Sequence, residues 1–363
     1  MKLSQLIFLT LFISGQALSS VIVKEGYWIN QNSHDFIQVI KLRPELTLDH
    51  ITSEGFELYG PVGLEKYLIQ NKISYSVLEE NRIGKMDSAS YPTSEEIEKE
   101  LKSLAKKHPQ LSKLYSIGKS VEKRDLWVMK LSSNAHLVDD DRPEFKYIAN
   151  MHGNEIVGRE LMLRFIKDCL TNYNNDEQIR NLLDNFQIHI LVSMNPDGAN
   201  HKSRGNARGV DLNRDFPDFD TKDNIDSPKN RALETQAVMN WQKEHHFKLS
   251  ANFHGGAEVV NYPWDTVPDL SPVDSTVKEL SLLYANKAPY IGASTVFSNG
   301  ITNGFAWYEV KGGMQDWSIY WRGDIQVTIE LSQNKWPNYS TIDYYYEQNR
   351  PALISFIEQL AFL

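Results

Sequence analysis

The segment Phe145-Lys-Tyr-Ile-Ala-Asn-Met-His-Gly-Asn-Glu155 decides the fold class of this 363-residue chain. A mostly apolar run of strand length, residues 145–151, leads directly into the polar cluster His152-Gly-Asn-Glu155. Strands that are buried on both faces are nearly continuous apolar runs, and α/β sheets bind ligands beyond the carboxyl ends of their strands. The segment therefore predicts a central strand of an α/β sheet with a functional site at its end.

Strands and helices alternate on either side of this segment, from about residue 90 onwards. Apolar and β-branched runs predict strands at 125–132, 145–151, 186–192, 249–254 and 325–331. Apolar residues at helical spacing predict helices at 157–171, 176–184, 231–246, 271–287 and 342–362, after a first helix that begins at the capping box Thr93-Ser-Glu-Glu96. This order predicts a mixed, largely parallel twisted sheet with helices on both faces, in a domain spanning residues 91–363.

The N-terminal part of the chain predicts a signal peptide and a small domain. Residues 1–20 combine a positive start, an apolar run and small residues, which indicates a secreted or periplasmic protein with no membrane span once this segment is removed. A buried first helix is the alternative. Alternating runs at 36–40 and 73–78, with a short helix at 63–70, predict an antiparallel α/β domain over residues 21–80. A polar linker, 81–90, follows.

Composition excludes several classes of protein. The formal net charge is -9, so no basic stripe is available to neutralise nucleic-acid phosphates. Cys169 is the single cysteine, which excludes an intramolecular disulfide. Because Cys169 lies in an apolar periodic run, we expect it to be a buried hydrophobic residue and not a nucleophile.

Four predicted strands end in polar clusters that contain metal-binding residue types. His152 and Glu155 are three residues apart, His254 follows a later strand, and Glu330 ends the last one. Two histidines and one glutamate are a donor set for catalytic zinc, which leaves one position open for water. His-x-x-Glu alone could be a surface or capping pair, and His254 alone could be a core histidine. We expect the histidines on polar stretches to be solvated: His108, His136, His245 and His246.

A second cluster, Arg204-Gly-Asn-Ala-Arg-Gly-Val-Asp-Leu-Asn-Arg-Asp215, carries three arginines. Arginine binds carboxylates through two parallel hydrogen bonds and can stabilise a developing oxyanion. Such a loop suits recognition of the free C-terminus of a peptide. A glycine-rich, charged surface loop is the alternative.

These motifs together resemble the zinc metallocarboxypeptidases (M14-type). The resemblance covers residues 90–363 and is carried by six motifs: His152-x-x-Glu155, Asn195-Pro-Asp-Gly198, Asp211-Leu-Asn-Arg214, Asn252-Phe-His-Gly-Gly256, Gly300-Ile-Thr-Asn-Gly-Phe-Ala-Trp-Tyr308 and Thr328-Ile-Glu330. It is greatest for the regulatory subgroup of carboxypeptidases N, E, M and D. The resemblance implies a hydrolase with one Zn²⁺ in the catalytic domain that removes C-terminal residues from peptides and proteins.

The resemblance also implies a role for each site residue. His152, Glu155 and His254 match the zinc ligands, a set that is already known for carboxypeptidase A. Glu330 matches the general base, and Arg204 matches the arginine that polarises the scissile carbonyl. Asn213 and Arg214 match the pair that binds the terminal carboxylate. Tyr308 matches the tyrosine that closes over the last residue, and Asp211 matches the acid that orients a ligand histidine.

Two positions of the resemblance imply a preference for C-terminal Lys or Arg. Asp265, eleven residues after His254, matches the acid at the floor of the specificity pocket, and Gln315 matches the glutamine that assists it. A buried carboxylate must be paired, so it selects a cationic guest. A turn-closing aspartate is the alternative for Asp265.

The chain departs from the regulatory subgroup at both ends. It stops after the last predicted helix, so the resemblance implies that the subgroup's transthyretin-like domain is absent. Residues 21–80 are loosely similar to the pro-segment of the pancreatic-type enzymes. We therefore hypothesise an inhibitory pro-domain that is released by cleavage near Arg82 or Lys85, with a permanent folding or docking module as the alternative.

Two other functions remain open at this point. An amidase of the same fold could act on peptidoglycan peptides, since diaminopimelate also carries a cationic amine that Asp265 would accept. A non-catalytic peptide-binding protein on the same scaffold is the other. It would be expected to lack a zinc ligand or the base, and the sequence retains them all.

Overall fold

A computed structural model describes residues 25–30, 37, 40, 43, 45–52, 54–78, 91–138 and 140–363. In these residues the chain forms two sheets, one of four strands and one of eight. The predicted signal peptide, the predicted linker and the two candidate cleavage positions lie outside the described residues. None of the helices in the described ranges is both long and apolar enough to cross a membrane.

The first sheet is antiparallel and is formed near the N-terminus. Its order is β2-β3-β1-β4, with α1 (Leu64–Gln70) after the third strand. The strands are β1 (Glu25–Ile29), β2 (Thr47–Asp49), β3 (Phe56–Gly60) and β4 (Tyr75–Val77). Ile29, Phe56, Leu58 and Leu68 form its core. We call this part of the chain the N-terminal unit.

The predicted strand at 36–40 is wrong. Ile37 and Ile40, the described residues of that stretch, are helical, and Ile40 is buried in the core of the N-terminal unit. A short apolar run fits a period of 2 or of 3.6, and two isoleucines three residues apart share one face of a helix.

The second sheet is mixed, with order β11-β10-β12-β9-β7-β8-β6-β5. Its strands are β5 (Ser112–Lys119), β6 (Asp125–Leu131), β7 (Glu144–Ala149), β8 (Gln187–Leu191), β9 (Phe247–His254), β10 (Glu258–Tyr262), β11 (Ile301–Asn303) and β12 (Ile325–Leu331). Four neighbours, β12, β9, β7 and β8, are mutually parallel, so their carboxyl ends meet at one edge. The predicted fold class is confirmed.

Helices cover both faces of this sheet. They are α2 (Ser94–Lys107), α3 (Val157–Asn172), α4 (Glu177–Asn185), α5 (Pro196–His201), α6 (Leu233–Lys243), α7 (Asp274–Lys287), α8 (Pro289–Gly292), α9 (Gly304–Trp307), α10 (Met314–Arg322) and α11 (Ile342–Glu358). Alternate residues of β7 enter two separate cores: Tyr147 and Ala149 pack in one, and Ile148 in the other. Cys169 is buried in the first, as predicted.

A buried ion pair joins the central strands below the site. Lys146 of β7 contacts Asp324, which precedes β12, and both are fully buried. Ser250 of β9 donates to both oxygens of Asp324 at 2.9 Å. Three neighbouring strands are thereby held in register by one charge pair, since a shift would leave a buried charge unpaired.

Candidate metal centre and substrate cleft

Three side chains converge at the carboxyl edge of β7 and β9. Glu155 Oε1 lies 3.0 Å from His152 Nδ1, and its Oε2 lies 2.9 Å from His254 Nδ1. The two Nδ1 atoms are 3.1 Å apart. All three residues are buried, with exposed fractions of 2%, 3% and 3%. Two imidazole nitrogens and a carboxylate directed at one point form a site for a divalent cation.

The turn that presents His152 and Glu155 is organised by Asn150. This residue adopts a left-handed backbone conformation with φ 57. Its amide donates to the carbonyl oxygens of His152 at 2.9 Å and Glu155 at 3.2 Å. Gly153 is required at this turn because a Cβ there would lie 2.0 Å from the backbone carbon of Gly198. The motif Asn195-Pro-Asp-Gly198 thus supports the ligand turn.

Asp211 orients the first histidine. Its Oδ1 lies 3.0 Å from His152 Nε2, so the carboxylate accepts the proton on that nitrogen and leaves the Nδ1 lone pair for an ion. Burial opposes a charge on His152, but Glu155 and Asp211 outweigh it and raise its pKa. These groups fit zinc, which binds histidine nitrogens and carboxylate oxygens. Asp211 adds the outer carboxylate that selects the tautomer of a zinc-binding histidine.

Glu330 stands beside the centre. It lies on β12, where it pairs with His254 of the neighbouring strand β9, and it is 8% exposed. Its Oε2 has no hydrogen-bond partner within the described parts of the chain. Burial, followed by the charges of Glu155 and Asp49, raises its pKa well above the ordinary value. A carboxylate in such surroundings is prepared to accept a proton.

Arg204 is buried beside the candidate ligand Glu155. Its Nε donates to Asp211 Oδ2 at 2.9 Å, and one Nη donates to Asp49 Oδ2 at 2.6 Å and to Glu155 Oε1 at 3.4 Å. Burial alone would lower its pKa, but the three carboxylates raise it well above the ordinary value. The guanidinium is therefore a fixed positive charge next to the candidate ion site.

The three residues predicted to bind the terminal residue lie between the metal centre and Asp265, since Arg214 acts electrostatically on both Asp211 and Asp265. We call the residues from the metal centre to Asp265 the substrate cleft. Arg214 donates to the carbonyl of Leu48 at 3.3 Å, so its guanidinium faces the N-terminal unit. Asn213 Oδ1 accepts from the backbone of Met314 at 3.0 Å. The hydroxyl of Tyr308 donates to Asp49 Oδ1 at 2.9 Å, which places the tyrosine inside the cleft.

Asp265 and Gln315 are in direct contact, and both are buried. The amide of Gln315 donates to Asp265 Oδ1 at 2.7 Å, and Asn261 donates to the same oxygen at 3.1 Å. Asp265 is 3% exposed, and burial raises its pKa to about 7. Gly304 is necessary here, since a Cβ would lie 1.6 Å from Asp265 Oδ1. The described contacts supply amides to Asp265 but no paired cation.

The N-terminal unit contacts these residues through Asp49, which the sequence analysis did not single out. Asp49, the last residue of β2, contacts Arg204 and Tyr308 and also accepts from Lys335 Nζ at 3.1 Å. Lys335 additionally donates to Glu57 of β3 at 2.7 Å. Arg204 and Lys335 hold the pKa of Asp49 well below its ordinary value, although burial opposes this.

The sequence analysis named neither Lys335 nor Asp49 as a site residue, although the sequence offered some indication of Lys335. Lys335 follows Glu330 by five residues in a polar loop, so a cation beside the predicted base could have been proposed. Asp49 ends a three-residue strand far from every motif, and no local pattern marks it. The expectation of solvated histidines is wrong for His245, whose Nδ1 lies 2.6 Å from Glu144 Oε1.

Comparison with known proteins identifies the sequence motifs as those of one family. The family model described as zinc carboxypeptidase matches residues 97–352. Carboxypeptidase SOL1 of Arabidopsis thaliana is 40% identical over 278 residues, which are 74% of this chain and 56% of that protein. Carboxypeptidase D of Homo sapiens is 37% identical over an alignment of 380 positions, which covers 97% of this chain and 26% of that protein. The chain thus spans about a quarter to just over half of these relatives.

Solved structures share the fold. Carboxypeptidase A from Helicoverpa armigera superimposes with a TM-score of 0.72 at 18% identity, covering 93% of this chain and 97% of its own. A thrombin-activatable fibrinolysis inhibitor gives the same TM-score of 0.72 at 17% identity, with 94% and 99% covered. At these identities the likeness establishes the architecture alone.

We predict that Asp211→Asn lowers zinc affinity by about 10- to 100-fold, because the amide no longer enforces the tautomer of His152. The measurement is a competition titration with a chromophoric chelator. Asp220→Asn, an exposed aspartate on the following loop, is the matched control and should bind zinc as the unaltered chain does. Equal affinity in the Asp211 variant would show that this carboxylate does not orient the ligand.

Proposed function

The chain belongs to the zinc carboxypeptidase family, and from this premise we propose that it hydrolyses the last peptide bond of peptides or proteins that end in Lys or Arg. The preference is carried by one observation: Asp265 is 3% exposed and has no cation within ion-pair distance among the described residues, since Arg214 acts on it only from farther away. A C-terminal Lys or Arg side chain would supply that cation.

Zinc held by His152, Glu155 and His254 would supply a Lewis acid that polarises the scissile carbonyl and acidifies water. Glu330 accepts a proton from the attacking water and delivers it to the leaving amine. Arg204 is the fixed donor for the negative charge that develops on the carbonyl oxygen. Its contacts with Asp211 and Glu155 keep it in place, so only the contact with Asp49 has to be broken before the guanidinium can act.

The terminal residue is held by groups farther along the cleft. Arg214, with Asn213, is the cationic site for the substrate's terminal carboxylate, which would replace the carbonyl of Leu48 that Arg214 now contacts. Tyr308 closes over the bound residue from the other side. Gln315 fixes the Asp265 carboxylate so that it points toward a Lys or Arg side chain.

The N-terminal unit inhibits the enzyme by occupying this cleft. Asp49 is a carboxylate bound by Arg204, Tyr308 and Lys335, so it occupies Arg204 and Tyr308, two of the groups that would contact a substrate. The alignments with the two full-length structures cover 93% and 94% of this chain, more than residues 91–363 alone contribute, which is consistent with a shared N-terminal unit. Cleavage in the segment 79–90 would release it. With the predicted signal peptide, this describes a secreted zymogen.

The base is tested with Glu330→Gln, which keeps the shape of the side chain and removes its charge. We predict that kcat falls by about 10²- to 10⁴-fold, since general base catalysis is lost, while one zinc ion remains bound at the catalytic ligands. Turnover of an Arg-ending peptide and the metal content are measured together. Glu258→Gln, on the adjacent strand β10, is the control with full activity. Full turnover by the Glu330 variant would refute the mechanism.

Specificity is tested with Asp265→Asn on matched peptides that end in Lys, Arg or Phe and on a diaminopimelate tripeptide. We predict that kcat/KM for Lys and Arg falls by at least about 100-fold, because the guest ammonium or guanidinium is left unpaired, with little change for Phe. Asp269→Asn, an exposed aspartate nearby, is the control. A preference of the unaltered chain for Phe or for the tripeptide would overturn the proposed substrate class.

The same pocket predicts a pH effect. Burial raises the pKa of Asp265 to about 7, so below that pH the empty pocket is neutral and attracts a cation less strongly. KM for Lys-ending peptides is therefore expected to rise as the pH falls through 7, whereas KM for Phe-ending peptides should not follow. In Asp265→Asn this difference between the two substrates disappears.

The inhibitory contact is tested with Asp49→Ala in the intact chain. We predict a rise of at least about tenfold in kcat/KM, since removing one partner of a buried ion pair weakens the interface that blocks the cleft. Glu54→Ala, an exposed position on the same unit, should leave the activity unchanged. If neither Asp49→Ala nor limited trypsin digestion raises activity, the N-terminal unit is a permanent module and not an inhibitor.

A further inference from the structure

A second group of metal-binding side chains lies at the opposite edge of the same sheet. Glu144 is the first residue of β7, His189 is the third residue of β8, and His245 lies two residues before β9. These positions are at or near the amino ends of parallel strands, whereas His152 and His254 lie at the carboxyl ends. Since β-strands rise about 3.3 Å per residue, the two groups are on the order of 20 Å apart.

The three ligand atoms face one another. His245 Nδ1 lies 2.6 Å from Glu144 Oε1, and His189 Nε2 lies 3.7 Å from the same oxygen. All three atoms lie within 4.8 Å of one another. The pairing of Lys146 with His189 and of Glu144 with Gln187 fixes this arrangement through the backbone of two parallel strands.

His189 provides an independent sign of a missing ligand. It is 1% exposed, and its Nε2 has no hydrogen-bond partner within the ranges the structure describes. Its Nδ1 is engaged 2.7 Å from the hydroxyl of Tyr115, which also accepts from Trp241 Nε1 at 3.0 Å. A buried polar atom without a partner costs about 1–3 kcal/mol, so an unpaired nitrogen aimed at a carboxylate and a second imidazole indicates a binding site.

The surroundings orient the two other ligands. The backbone N–H of His246 donates to Glu144 Oε2 at 2.6 Å, which leaves Oε1 directed at the histidines. The ring of Phe247 stacks on His245 with centroids 5.0 Å apart and planes inclined by 22°. The side chains of Glu144 and His245 remain 17% and 20% exposed, so an ion can enter from solvent and keep a water molecule.

The ring of His189 is in the neutral form, which is the form that binds metal ions. Burial, together with the neighbouring His245, lowers the pKa of His189 well below its ordinary value, so its ring is neutral at physiological pH. Lys130 opposes a cation electrostatically, but its ammonium donates to Gln187 Oε1 at 2.6 Å and lies 4.0 Å from Asp140. Glu144 is the carboxylate that offsets the charge of an ion here.

We propose that Glu144, His189 and His245 bind a second zinc ion, separate from the catalytic one. Two imidazoles, one carboxylate and a water complete a tetrahedral zinc site, in which donors are roughly 3.3 Å apart for bonds of about 2.0–2.1 Å. Small side-chain rotations bring the 2.6 and 3.7 Å separations to that value. The ion joins β7, β8 and the start of β9, so it stabilises the sheet and takes no part in catalysis.

The test is the zinc stoichiometry of the full chain after chelator treatment, back-titration with zinc and removal of the free ion. We expect two zinc ions in the unaltered chain and one in His245→Ala, with kcat/KM unchanged when zinc is saturating. His246→Ala is the matched control, because the next histidine is exposed and contributes only its backbone N–H. It should retain two zinc ions.

A second measurement, the melting temperature, tests the proposed site without relying on the number of bound zinc ions. Zinc added to the protein that already holds the catalytic ion should raise the melting temperature of the unaltered chain and of His246→Ala, and should not raise that of His245→Ala or Glu144→Gln. One zinc ion in the unaltered chain, or two in His245→Ala, would overturn the proposal. So would an equal zinc-dependent rise in all four proteins.

Discussion

The parallel course of β12, β9, β7 and β8 brings four strand ends to one edge, and that edge concentrates buried charge. Glu155, Glu330, Asp211 and Asp49 lie within reach of one another and almost out of contact with water. Burial alone would protonate such carboxylates. Arg204 and Lys335 offset part of the negative charge, and a zinc ion at the two histidines offsets more. The chemistry of the cleft is therefore a consequence of strand order combined with the need to balance charge.

Much of this arrangement was predictable because it is encoded locally. A strand that is buried on both faces is a continuous apolar run, and the residues that follow it mark the site, so His152, His254 and Glu330 could be placed at one edge from sequence. Helix and strand bounds agreed closely except at frayed ends; for example, the helix predicted at 231–246 spans Leu233–Lys243. The strand predicted at 36–40 failed because a short apolar run does not distinguish a strand from a helix. The role of Asp49 was missed because it depends on a distant contact. Asp49 is meaningful only beside Arg204, which lies 155 residues later.

The same cations serve two competing purposes under the proposed function. Arg204 must be free to stabilise an oxyanion, yet in this structure one of its Nη atoms lies 2.6 Å from Asp49. Lys335 bridges the N-terminal unit and the catalytic edge, with Glu57 at 2.7 Å and Glu155 at 3.7 Å. An inhibitory carboxylate that binds the same arginine as the substrate needs no separate binding surface. When it is released, the arginine becomes available and the rest of the site keeps its structure.

The two histidine–glutamate groups differ in how completely they are organised in advance. At the catalytic edge the donor separations are 2.9, 3.0 and 3.1 Å, and Asp211 fixes one ring. At the opposite edge the donor separations include 2.6 and 3.7 Å, and His189 is oriented by a neutral tyrosine hydroxyl, which interacts with an imidazole less strongly than a carboxylate does. Metal affinity depends on such outer partners, so the second site should release zinc first when the metal becomes scarce. The enzyme would then keep its catalytic zinc and its activity after losing the second zinc ion, at the cost of a lower free energy of unfolding.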